Sequence, residues 1–568
     1  MSLDGIELKR KPSSSSITAD QPIEKDSGVV VNFSGGRKNK KHKRKFKVKV
    51  PESTTPLGVL LTHEIPTILK EYDLKIEDIT NPISQILNDE KTRLKYNRIV
   101  TDVEILKYSS SGDSIALIPH PDIPTGKQIA IIPFGTPGDI VKIRVFMTKL
   151  NHVECDLLQI IKPSIIRNDT TSIECKYFGI CSGCQYQHID YENQLLFKKQ
   201  TIENAFKFFA PRLTNLNKLP IVESTIPSPL KLGYRTKLTP HYQINKKYSL
   251  DKLPNIGFGK KGKPEWRVNT ADLREYPGEV MDIEDCLIGT EIVRKGMANE
   301  RARLNRDLLA SLKDKTFKKR GGIGATILLR EDTKLIDDVN QVKGSTDLND
   351  EISKLYIDNK VKTCVTDNNS IVSEFIKIDD IDLRFDFVAN EFFQNNNSIL
   401  PKVIQYVKSN LSIDSNDENY LVDAYCGSGL FSIALSSSVT KSLGVEISSH
   451  SIKFAKKNVE LNNIKNCEFI EGKAEELFKK IEFPKDKTSV ILDPPRKGCD
   501  DIFLKQLSDF NPRKIVYVSC NVHSQARDIE YFINETENGK NYQVESITGF
   551  DFFPQTHHVE GVAVLKRC

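Results

Sequence analysis

From about residue 390 onward, short apolar runs alternate with stretches whose apolar positions recur every three to four residues. "YLVDAYCGSG", "SLGVEIS", "SVILDPPRKG" and "KIVYVSCN" read as strands, and "LPKVIQYVKSNL" and "SIKFAKKNVELNN" between them read as helices. Strands alternating with helices predict a doubly wound, mostly parallel sheet, which presents its chemistry beyond the carboxyl ends of its strands. A different pattern runs from Tyr96 to Lys162, where short alternating runs split by Gly, Pro and Ser predict a small β-barrel. Between the two lies mixed material: "YENQLLFKKQTIENAFKFF" and "TEIVRKGMANERARLNRDLLASL" are helix-like, while "YRTKLTPHY" and "IGFGKKGK" alternate as strands do.

The expected fold class is therefore multidomain α/β. Residues 1–50 read as a disordered basic tail, 51–94 as a helical lead-in, 95–165 as the barrel, 166–386 as an α+β central domain with a cysteine cluster, and 387–568 as a Rossmann-like domain. A chain of 568 residues exceeds one ordinary core, and 38% hydrophobic with 28% charged residues describes a soluble globular protein. No apolar run approaches the ~18 residues that cross a bilayer, and the amino end lacks the apolar stretch of a signal peptide. An intracellular protein with no membrane partner is expected, and no obligate protein partner is implied. Nucleus and cytoplasm stay open, as does the mitochondrion, although acidic residues among the first 25 positions count against a transit peptide. Eleven cysteines in a chain of this length point to reduced thiols, metal ligands or catalysis rather than disulfides. The net charge of +6 is uneven: "GRKNKKHKRKFKVKV", Gly36 to Val50, is almost all base and suits a solvated tail, a nuclear import signal or a phosphate-binding arm.

The strand ends carry the candidate chemistry. Glycines in "VDAYCGSGLFSIAL" follow an apolar strand and precede a helix, where backbone can approach a ligand and free amides face it. A plain tight turn would have the same glycines, but Glu446, at the end of the next strand and about 20 residues on, is placed to bind ribose hydroxyls. No Lys-Ser/Thr follows the glycines, which argues against a phosphate-cradling loop and for an adenosine cofactor without a pyrophosphate, S-adenosylmethionine. Asp493, followed by two prolines, sits on a rigid turn that can pin a carboxylate beside that ligand. Cys520 ends a β-branched strand; it is either a small buried hydrophobe or a nucleophile at a strand's carboxyl end.

The stretches "FVANEFFQNNN", "VDAYCGSGLFS", "GVEIS", "LDPPRKG", "VYVSCN" and "FFPQTHHVEGVAVL", in that order from Phe387 to Leu565, resemble the RNA uracil-C5 methyltransferase family, in particular its fungal-type tRNA uracil-54 members. The resemblance implies a Rossmann-like methyltransferase domain, with Cys520 as the nucleophile that adds to uracil C6 and Glu560 as the base that removes the C5 proton. It implies cofactor contacts from Gln394, Tyr425 and Glu446; Asp493 is placed to bind cofactor or uracil, and His557 and His558 are placed to donate to the substrate. Leu430 departs from the polar residue that relatives carry after the glycine motif, so no contact is carried onto it. The barrel segment resembles a TRAM domain, an OB-like RNA-binding module. "CKYFGICSGC" sets Cys175, Cys181 and Cys184 in a C-x5-C-x2-C arrangement with Cys286 available as a fourth ligand, suited to zinc or an iron–sulfur cluster; the resemblance points to [4Fe–4S]. The implied substrate is tRNA, with the same chemistry on ribosomal RNA and a catalytically inactive RNA-binding scaffold as the alternatives.

Overall fold

The computed structural model describes residues 51–244, 254–267, 280–313, 323–336, 353–411, 418–472, 478 and 481–568. The basic run and the tail assigned to residues 1–50 lie outside the described residues.

Alternation of apolar and polar residues closes the first sheet. Strands β1 (Ile99–Tyr108), β2 (Ser114–Pro119), β3 (Lys127–Ile132), β4 (Ile140–Thr148) and β5 (Val153–Lys162) form a closed barrel in the order β1-β2-β3-β5-β4. Their inward residues, such as Val103, Ala116, Ala130, Val141 and Leu157, fill a single core. This is the expected OB-like architecture, and closure leaves no free sheet edge.

Short helical pieces precede the barrel. Pro56–Val59, a π-turn at Leu60–Glu64 and Ile65–Glu71 run on from one another. Pro56 stands at the first helical position, where its missing N–H costs nothing, and the Thr55 side chain caps that end by accepting from Gly58 N.

The central region holds β6 (Lys237–Leu238), β7 (His241–Ile244), β8 (Ile256–Gly257), β9 (Ile323–Thr326), β10 (Leu329–Leu335), β11 (Lys354–Ile357) and β12 (Lys360–Val365). They form a four-stranded sheet, β11-β12-β10-β6, and a three-stranded one, β8-β7-β9. A hairpin of β13 (Ile371–Ile378) and β14 (Ile381–Val388) follows. The helix Tyr191–Phe209 places Ile202, Ala205 and Phe206 in the same core as the catalytic sheet.

That sheet has seven strands: β15 (Tyr420–Ala424), β16 (Lys441–Glu446), β17 (Cys467–Glu471), β18 (Thr488–Leu492), β19 (Lys514–Ser519), β20 (Tyr542–Phe550) and β21 (Glu560–Arg567). Their order is β17-β16-β15-β18-β19-β21-β20, with β21 antiparallel to both its neighbours and the other pairings parallel. The central strands are buried throughout, which accounts for their unbroken β-branched runs. Strand order reverses between β15 and β18, so the crevice beyond their carboxyl ends is the switch point where such sheets bind ligands. Among the described residues no helix is long and apolar enough to cross a membrane.

Candidate active site

Every strand-end residue singled out in the catalytic sheet lies along this crevice. Tyr425, directly after β15, adopts φ +66, a conformation that costs a bulky residue energy and that the surrounding turn must enforce. Gly427 at φ +53 and Gly429 at φ +91 complete the turn; at Gly429 a Cβ would lie 2.9 Å from the Phe469 ring, so only glycine fits. Glu446, at the end of β16, reaches back to this turn: its Oε2 accepts from Gly427 N at 3.3 Å and its Oε1 from Ser448 N at 3.0 Å. Asp493 follows β18, and its amide donates to Ala424 O at 3.4 Å, tying it to the same turn. Burial, reinforced by the charge of Asp423, pushes the Asp493 carboxyl up to about 7. Gln394 lies half-buried between β14 and the helix Leu400–Asn410. The next residues hold its loop in place: Asn395 accepts from Arg330 Nη1 at 3.1 Å, and Asn396 donates to Phe552 O at 3.0 Å.

Register brings Cys520 and Glu560 together across 40 residues of sequence. Ser519 pairs with Gly561 between antiparallel β19 and β21, which sets the next residue of one strand against the preceding residue of the other. Cys520 is exposed at the lip, whereas Glu560 is only 4% exposed. The Cys520 thiol is pushed up to about 12 by loss of solvent, then by the Glu560 charge, while Arg496 pulls it back. Glu560 is raised well above the ordinary carboxyl range by burial and by Asp493, and Arg496 again opposes the shift. Both groups are thus biased toward their protonated forms.

The loop that carries Cys520 is locked to the Asp493 loop. Asn521 caps the helix Val522–Glu535 by accepting from His523 N, and its Nδ2 donates to Arg496 O at 2.9 Å; Ser524 Oγ donates to the same carbonyl at 3.0 Å. Gln525 Nε2 donates to Tyr517 O at 2.7 Å and Gly561 O at 3.1 Å, fastening the helix to β19 and β21. Neither Arg496 nor Asn521 received a role from the sequence. The clue to Arg496 was its place directly after the two prolines, where a rigid turn aims it over the strand ends.

The loop Asp551–Glu560 is pinned from the central region. Lys198 and Asp551 form an ion pair with both side chains fully buried, and Tyr191 OH donates to Asp551 at 2.8 Å. Lys198 Nζ also donates to Phe553 O at 3.0 Å, and Gln194 and Gln555 exchange hydrogen bonds of 3.0 Å. The His557 and His558 rings lie tilted against each other with centroids 4.0 Å apart; burial and nearby cations keep both neutral, His558 at about 3. Neutral imidazoles can donate one hydrogen bond each to a carbonyl-bearing base.

Because Arg496 lowers both Cys520 and Glu560, its removal should raise both. For Arg496→Gln the rate near pH 7 should fall about ten- to a hundredfold, and the rising limb of the pH–rate profile should move to higher pH. An unmoved profile would show that Arg496 does not tune the pair.

Cys175, Cys181, Cys184 and Cys286 are brought to one cavity of about 210 Å³, which Arg235 also lines. The C-x5-C-x2-C turn is shaped by Phe178 N donating to Cys175 O at 3.2 Å and Cys181 N to Tyr177 O at 3.0 Å. Gly183 N donates to Cys181 Sγ at 3.5 Å. Burial pushes Cys181 up to about 12 and Cys286 to about 11, and neighbouring thiols add to each shift. Among the described residues no three Cys, His, Asp or Glu side chains are close enough together to hold a single metal ion.

A doubly wound sheet with a glycine turn, an acid at the next strand end and a cysteine beside a carboxylate defines an S-adenosylmethionine-dependent methyltransferase, here joined to a TRAM barrel. The description "tRNA (Uracil-5-)-methyltransferase" matches residues 333–568, and "TRAM domain" matches 94–158. The chain is 48% identical to the tRNA (uracil(54)-C(5))-methyltransferase of Saccharomyces cerevisiae over 94% of its own length and 85% of that protein's. Its identity to the enzyme of the same name from Schizosaccharomyces pombe is 39%, over 82% and 78% of the two chains. The crystal structure of Pyrococcus abyssi tRNA (uracil-54, C5)-methyltransferase in complex with S-adenosyl-L-homocysteine shares the fold, with a TM-score of 0.53 at 22% identity, over 82% of this chain and 99% of that one. The chain belongs to the tRNA (uracil-5-)-methyltransferase family.

Proposed function

We propose that the chain moves a methyl group from S-adenosylmethionine to C5 of uridine 54 in the T-loop of tRNA, using Cys520 as nucleophile and Glu560 as base. The carrying observation is the β19–β21 register, which sets a lip-exposed thiol beside a buried carboxylate one strand from the switch point. The position on the RNA rests on the two fungal relatives, whose names specify uracil 54.

The residues divide the work as follows. Tyr425, Glu446, Asp493 and Gln394 hold the cofactor, whose sulfonium supplies the methyl group. The target base leaves its stack to reach the crevice. Cys520 loses its proton to water at the lip, and its sulfur bonds to C6, which makes C5 an enolate-type carbon. C5 takes the methyl group as the carbon–sulfur bond of the sulfonium breaks. Glu560 then removes the C5 proton, the C5–C6 double bond re-forms and the thiolate leaves. Glu560 acts as base in its ionised form, which the Arg496 charge favours. His558 donates to a carbonyl of the base, while His557 is spent on Gln185 Oε1.

The test is transfer of labelled methyl to two tRNA transcripts, one normal and one with cytidine at position 54. Label on the normal transcript alone is expected. Equal label on both would overturn the position, and label on ribosomal RNA alone would overturn the substrate. Cys175, Cys181, Cys184 and Cys286 would hold a [4Fe–4S] cluster with a structural role, since methyl transfer from a sulfonium needs no electron. About four irons and four sulfides per chain are expected after anaerobic purification; absence of both would remove the assignment.

A further inference from the structure

His557 is held by Gln185, a residue of the central region that directly follows Cys184. The His557 backbone N–H donates to Gln185 Oε1 at 3.3 Å, and ring Nδ1 lies 3.2 Å from the same oxygen. On its other side Gln185 Nε2 donates to Ser182 O at 3.2 Å. A peptide N–H only donates and a carbonyl only accepts, so the amide has a single orientation, with its oxygen toward His557. Nδ1 must then carry the imidazole proton. Because burial and nearby cations keep the ring neutral, Nε2 is left with a bare lone pair.

The ring is fixed from behind. Gln185 N and Tyr186 N both donate to Gln555 O, at 2.9 and 3.0 Å, and at Gly112, φ +77 in the turn between β1 and β2, a Cβ would lie 2.6 Å from His557 Cβ. Nε2 has no partner among the described residues and, unlike the enclosed Nε2 of His523, is open to solvent. The Arg496 charge that acts on Cys520 and Glu560 acts on His557 and His558 as well, which puts all four around one space. Uracil presents N3–H, a donor, between two carbonyl oxygens, whereas cytosine presents a bare N3, an acceptor, at the same place. With the two rings 4.0 Å apart, an acceptor on His557 meets N3–H while His558 donates to a neighbouring oxygen. Against cytosine the same nitrogen sets lone pair against lone pair. We propose that His557 Nε2 reads uracil N3–H, and that Gln185 is the positioning residue that fixes the imidazole tautomer for it. The assignment rests on the uracil-C5 transfer proposed above.

The tautomer is tested without turnover, by nitrogen NMR of the full chain carrying isotope-labelled histidine, with the His557 signals identified by their loss in His557→Gln. At neutral pH the parent should show Nδ1–H and a bare Nε2, and Gln185→Leu should shift the ring toward Nε2–H. Nε2–H in the parent, or the same signals in both chains, would overturn the role of Gln185. Base choice is tested by kcat/KM on two transcripts, one with uridine and one with cytidine at position 54. Gln185→Leu and His557→Gln should each lower the uridine-to-cytidine ratio about ten- to a hundredfold, because an imidazole free to carry its proton on Nε2, or an amide free to turn, can donate to cytosine N3. A defect of packing alone would slow both transcripts alike. Equal slowing, or no gain of label on cytidine relative to uridine, would overturn the reading of N3–H. No label on uridine 54 from the parent, with the expected tautomer in place, would overturn the proposed position of methylation and leave the Gln185–His557 pair standing.

Discussion

Cys520→Ala should lower methyl transfer by roughly 10⁴-fold or more, since the other thiols beyond these strand ends, Cys426 and Cys499, are buried and cannot add to C6 in its place. Two further readouts separate this from a folding defect. Binding of S-adenosylmethionine should persist, because Tyr425, Glu446 and Asp493 lie on other strands. Covalent trapping on RNA that carries 5-fluorouridine should vanish, because fluorine at C5 blocks the release step only after sulfur has bonded to C6. Normal turnover by the variant would remove Cys520 from the mechanism.

Glu560→Gln acts later and should look different. The amide can neither take the C5 proton nor repel the thiolate, so addition and methyl transfer proceed and release stalls. Turnover should fall about 10²- to 10⁴-fold while protein–RNA adduct accumulates, visible as a band that survives denaturing electrophoresis with ordinary, unfluorinated tRNA. Rapid release of methylated product would show that another group is the base.

Local pattern carried much of this architecture. Period-two alternation marked the barrel, and β-branched runs ending in Gly-Ser-Gly, Asp-Pro-Pro and Ser-Cys-Asn marked the catalytic strands, because a fully buried parallel strand has few ways to be written. What sequence could not supply was adjacency. Cys520 and Glu560 are neighbours only because β21 enters the sheet antiparallel between β19 and β20, a choice of register that no local run encodes. Arg496 was visible as a letter but not as a charge aimed at two titrating groups. Lys198 read as one polar residue of a helix, yet it is fully buried against Asp551, a partner 353 positions away.

That last pair bears on how the enzyme is made. Asp551 belongs to the segment that ends in Glu560, and its counter-charge belongs to a helix synthesised hundreds of residues earlier. A carboxylate enclosed without its cation is strongly unfavourable, so the segment leading to Glu560 packs stably only with the Lys198 helix beside it. The ribosome delivers them in that order: anvil first, hammer last. The carboxyl-terminal half expressed by itself would carry Cys520 and Glu560 in its sequence and still lack the surface on which the Asp551–Glu560 loop is set.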